Sequence, residues 1–111
     1  NIVFNDVKFT GTLVDPSDAG NNTYGIFIES TPVLQCKHII FTNCSFNGLS
    51  YAVIADDDMD HILFDSCEVY QLYRGFKFGE NTSGSGASVN GPTGITIKNT
   101  LFDDIATDSK K

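Results

Sequence analysis

Positive charge is scarce in this chain. Seven Lys and Arg stand against fourteen Asp and Glu in 111 residues, a net charge of −7, and the pI is about 4.4. Arg74 is the only arginine. Nucleic acid and anionic membrane both demand a basic face, so neither is an expected partner. Long apolar runs are missing too. None approaches the roughly 18 residues that a bilayer-spanning helix needs. No leader segment is visible and the chain does not begin with Met, which reads as an excised or processed piece of a longer protein. Cysteine is limited to Cys36, Cys44 and Cys67. That odd number without a Cys-x-x-Cys pair excludes a disulfide framework and a zinc-ribbon pattern. Asn-x-Ser/Thr triplets at Asn21, Asn43 and Asn81 read as chance occurrences. The 41% apolar content suffices for one small packed domain.

A phrase occurs four times. Asn1-Ile-Val-Phe-Asn-Asp-Val-Lys-Phe9 returns as His38-Ile-Ile-Phe-Thr-Asn-Cys-Ser-Phe46, as His61-Ile-Leu-Phe-Asp-Ser-Cys-Glu-Val69 and as Gly94-Ile-Thr-Ile-Lys-Asn-Thr-Leu-Phe102. A second phrase also repeats: Tyr24-Gly-Ile-Phe-Ile-Glu29, Tyr51-Ala-Val-Ile-Ala-Asp56 and Arg74-Gly-Phe-Lys-Phe-Gly79. Each unit is therefore one coil of a stack, with three extended runs joined by turns. In the second coil these are Ile39–Phe41, Cys44–Phe46 and Val53–Ala55. Turn-rich insertions interrupt the coils at 11–23 and 79–93.

Period-2 alternation assigns the faces. Ile39, Phe41, Cys44, Phe46, Val53 and Ala55 point inward, as do Ile62, Phe64, Cys67, Val69, Phe76 and Phe78. One slot breaks the alternation, holding Asp6, Asn43, Ser66 and Asn99. Those residue types tolerate left-handed backbone, which predicts a tight bend. Stacking would set them about 4.8 Å apart, close enough for a polar ladder from coil to coil. The outward positions are less ordinary. Val3, Ile40 and Leu63 on the first run, with Phe27 and Ile54 on the third, are apolar where water would favour polar residues. Such positions mark an interface or a face covered by the insertions.

The phrase Ile-x-Ile/Phe-x-Asn-x-x-Phe, returning at about 23 residues, resembles the right-handed parallel β-helix of the pectate-lyase superfamily. The resemblance covers nearly the whole chain and implies an all-β solenoid of about four coils. Tyr73-Arg-Gly-Phe-Lys-Phe-Gly79 with its Gly/Ser loop, and Gly91-Pro-Thr-Gly-Ile-Thr-Ile-Lys-Asn-Thr-Leu-Phe-Asp-Asp-Ile105, most resemble β-helix regions of tailed-phage structural proteins. That implies a structural module of a tail, tailspike or baseplate. It further implies a homotrimer or other virion chains as partners, possible contact with host polysaccharide, and a place in the virion. The alternative is a fragment of a secreted polysaccharide lyase or glycoside hydrolase.

Few residues offer chemistry. Aligned coils set Glu29 over Asp56 and Asp57 over Glu80, with Asp58 and Asp60 nearby. Carboxylates one or two coils apart would stand about 5 or 9.5 Å apart, the separations used by retaining and inverting glycosidases. Asp56, Asp57 and Glu80 could also hold calcium. The plainer reading of this column is a solvated turn. The resemblance to pectate lyases makes Arg74 a candidate base, but the remaining lyase signatures are missing. So are the polygalacturonase motifs, and stacking on Tyr51 accounts for Arg74. Tyr70 and Tyr73 are candidates for sugar stacking. His38 and His61 share a slot and could share a metal, but no further ligand repeats there, and the slot reads as a polar turn. The expectation is no catalytic residue, no metal and no cofactor.

Overall fold

The structure, a computed structural model, describes residues 1–12, 23–28, 36–56, 59–80 and 93–105. Every regular element among them is a strand: β1 (Ile2–Asn5), β2 (Lys8–Thr10), β3 (Tyr24–Ile28), β4 (Lys37–Thr42), β5 (Ser45–Asp56), β6 (Asp60–Asp65), β7 (Glu68–Glu80), β8 (Thr93–Lys98) and β9 (Leu101–Ile105). They form two sheets. One has the order β1-β4-β6-β8; the other has β2-β5-β7-β9, with β3 beside β5. All pairings are parallel, and the register follows the repeated phrase. Ile39 pairs with Ile62 and Phe41 with Phe64; Phe46 pairs with Val69 and Val53 with Phe76.

The inward slots make the core. Phe41, Phe46, Val53, Ala55, Phe64 and Val69 are fully buried. Parallel pairing stacks like on like. Phe4 lies on Phe41 with ring centroids 5.0 Å apart, and Phe9 lies on Phe46 at 4.8 Å. Exclusion of these rings from water is the main source of stability. A large aromatic removed from such a core costs about 3–5 kcal/mol.

The bend slot has the backbone that its residue types foretold. Asp6, Asn43, Ser66 and Asn99 have φ of 57°, 52°, 58° and 50°, a region where Asn and Asp are enriched. Main-chain bonds bridge the repeats here: Asp6 N–H donates to Thr42 O and Asn43 N–H to Asp65 O, both at 3.0 Å. The polar ladder differs from expectation. The Asn99 side chain reaches Asp65 Oδ1 at 3.1 Å, one position away from its slot-mate Ser66, because Asp65 is ionised and accepts more strongly. The next slot is a donor slot. The thiols of Cys44 and Cys67 and the hydroxyl of Thr100 each donate to the carbonyl two residues back.

Three features depart from the sequence reading. The second and third runs join into one strand in β5 and β7, because a single left-handed residue turns each corner: Gly48 (φ 64°) and Gln71 (φ 56°). Strand β7 runs through Gly79 to Glu80, so the second insertion begins later than its sequence suggested, and β8 opens at Thr93. Most of both insertions lies outside the described residues. Finally, the register slips between Ala55 and Asp56, so that Asp56 pairs with Glu80. The extra residue, Gly79, is a bulge that unseats the expected pairing of Asp57 with Glu80.

Candidate functional site

Asp57 lies outside the described residues, as do the side chains of Asp56 and Glu80. The backbone register sets Asp56 opposite Glu80. Arg74 is exposed on β7. It donates from Nη1 to Tyr51 Oη at 3.1 Å, and its guanidinium lies 5.1 Å from the Tyr73 ring centroid. Tyr51 foremost, then Tyr73, holds the Arg74 pKa above its ordinary value. A general base needs the reverse, so Arg74 is a cation stacked on tyrosines.

That stacking bears on the tyrosines as well. Tyr73 presents one ring face to the Arg74 guanidinium, so that face is engaged within the chain. Tyr70, exposed on β7, borders a depression of about 220 Å³ lined by Glu68, Val69, Leu101 and Asp103. Of the outward apolar residues, Val3 and Phe27 are 59% and 43% exposed, while Ile54 is only 4% exposed. Ile54 is therefore buried within a single chain, and a partner chain has no need to cover it. Ile40 and Leu63 are half-buried in the floor of a groove on the outer face of the first sheet.

This groove has a histidine pair in its lining. It encloses about 270 Å³ between His38, Ile40, His61, Ile62, Leu63, Gly94 and Thr96. Parallel pairing of β4 with β6 brings His38 and His61 together, their rings stacked with centroids 5.0 Å apart. Both have left-handed backbone, with φ of 54° and 59°. Histidine is among the side chains enriched there. Asp60, next to His61, forms an ion-pair contact through Oδ1 with His61 Nδ1. It also accepts a hydrogen bond from Thr93 Oγ1 at 3.1 Å. A donor atom of each of His38, Asp60 and His61 lies within 4.8 Å of the other two.

The repeat led to the histidine pair but not to its carboxylate. Asp60 falls one position ahead of the shared slot, so a search for repeated ligands passes over it. The signal that could have found it is Gly94. That residue continues the histidine slot at φ +66°, and a column of His, His and Gly marks left-handed backbone. Such a turn folds the preceding side chain back toward the column.

No helix of the described residues is long and apolar enough to cross a membrane. Comparisons of the chain with protein-family models, with curated proteins and with solved structures find no match.

Proposed function

We propose that the chain is a structural β-helix module of a tailed-phage tail, tailspike or baseplate, assembled as a homotrimer or against other virion chains. The two parallel sheets and their bends are compatible with successive coils of one solenoid. The observation that carries the reading is the exposure of inward slots at the terminal repeat. Ile97 and Phe102 are 42% and 43% exposed, while Phe41 and Phe46, in the same slots, are at 0%. Ile2 is 51% exposed at the opposite end. Core-type residues beside unpaired strand edges call for a cover of matching parallel strands, whether from further coils of the same chain or from another chain. Val3 and Phe27 add apolar surface for lateral contact between copies.

The same geometry weighs against a polysaccharide lyase or glycoside hydrolase. Arg74, the candidate base, is engaged by Tyr51 and Tyr73. The test is the mass of the chain in solution together with an assay for depolymerisation of acidic polysaccharide. Self-association without cleavage is expected. A strict monomer that shortens the polysaccharide would overturn the proposal.

A further inference from the structure

The groove on the first sheet belongs to neither the core nor the terminal faces, and its polar group has the chemistry of a metal site. We propose that His38, Asp60 and His61 form a binding site for a first-row divalent transition metal, with zinc the natural occupant class. Two imidazole nitrogens and one carboxylate select Zn²⁺, Co²⁺ or Ni²⁺ over Ca²⁺ and Mg²⁺, which prefer oxygen alone.

Three observations carry it. The donor atoms already lie within 4.8 Å of one another. Ligands of a tetrahedral zinc at about 2.0–2.1 Å stand roughly 3.4 Å apart, so closure needs a contraction of about 1.4 Å. The exposed side chains can supply that by rotation: the His61 side chain is 61% exposed and that of Asp60 34%. Second, the polar contacts are arranged as in metal sites. Asp60 Oδ1 stands against His61 Nδ1, and Thr93 Oγ1 donates to Asp60, so Nε2 of His61 is the nitrogen turned from the carboxylate. A carboxylate that fixes a ligand imidazole in this way is the usual companion of zinc-bound histidine. Third, the column ends in glycine. A Cβ on Gly94 would stand 3.0 Å from His61 Cδ2, so glycine keeps the outer side of the His61 ring clear. The groove above Ile40 and Leu63 then leaves room for water on the open coordination positions.

Asp60 binds directly as the third donor; where it stays behind His61 instead, the two imidazoles hold the ion and water fills the remaining positions. The occupied site clips β4 to β6.

The test is titration of the full chain with Co²⁺ and Zn²⁺, read by the visible absorption of cobalt and by calorimetry. A Cys36→Ser background removes a half-buried thiol that would compete. One ion should bind per chain, and zinc should displace cobalt. His38→Ala and His61→Ala should each lose about ten- to a hundredfold in affinity, and Asp60→Asn about tenfold or more. Zinc should raise the melting temperature of the parent but not of the histidine variants. Circular dichroism checks that each variant keeps its strands. Where a histidine variant does not fold, the shift of the His38 and His61 imidazole resonances in the parent decides. Absence of a cobalt band, or equal affinity in folded histidine variants, would overturn the site, as would unmoved imidazole resonances.

Discussion

Phe41 and Phe64 are stacked with ring centroids 4.8 Å apart and planes 3° from parallel. That separation is the distance between neighbouring strands, so backbone register sets the stacking. The centroid distance falls in the range of offset-stacked aromatic pairs, and Phe9 and Phe76 add edge-on and stacked contacts around the pair. Both rings are fully buried.

Phe41→Ala and Phe64→Ala should therefore each destabilise the fold by about 3–5 kcal/mol. The double variant should lose less than the sum, because the two cavities merge. Chemical denaturation of the four proteins measures this. Strict additivity would mean that the rings do not share one packed column.

Gly94→Ala should destabilise by at least about 1–2 kcal/mol, the cost of left-handed backbone for a residue with a Cβ. Crowding of the new methyl against the His61 ring adds to it. His61→Ala made together with Gly94→Ala should relieve the crowding but not the backbone cost. Thermal melts of the single and double variants separate the two contributions.

Much of this fold was legible in the sequence because a parallel stack repeats its chemistry at each level. Phe4, Phe41 and Phe64 share a slot, and so do Asp6, Asn43 and Ser66. Residue type thus reports both burial and bend. What was hidden lay where one residue departs from the repeat. Gln71 turns the corner that Gly48 turns one level away, and glutamine carries no signal for left-handed backbone. The slip at Asp56 depends on Gly79 entering β7, which reads in sequence as the start of a loop. Ile54 looks like surface by alternation, yet it is buried. The histidine site was half legible: the pair shares a slot, while Asp60 sits outside it.

Asp65 accepts hydrogen bonds from Asn99 Nδ2 and Ser66 Oγ, and Lys98 Nζ lies 3.2 Å away. The Asn99 bond first, then Lys98, holds its carboxyl below the ordinary value of 3.8. A group depressed in this way stabilises the fold above its unfolded pKa, and that contribution is lost as pH falls through the native one. Melting temperature should thus decline on acidification below the usual aspartate range. Asp65→Asn should flatten that decline, while an unchanged acid limb would show that the donors exert no net pull on Asp65.

Cys44 and Cys67 are about 1% exposed, and burial pushes the Cys67 thiol pKa up. Reactivity follows the thiolate and its access. Both residues should stay unmodified by a maleimide in the native chain and react once the chain is unfolded. Cys36, half-buried, should label ahead of them. Mass spectrometry of digested samples over time measures the order, and early modification of Cys67 would contradict its placement in the core.

The central claim is that the terminal faces are made to be covered, and sedimentation of the full chain over a range of concentrations tests it most directly. The account predicts association that grows with concentration through the terminal strands. Ile97→Asp combined with Phe102→Asp should weaken it while the strand signal in circular dichroism persists. A chain that remains a well-folded monomer at every concentration, with those two substitutions changing nothing, would contradict it.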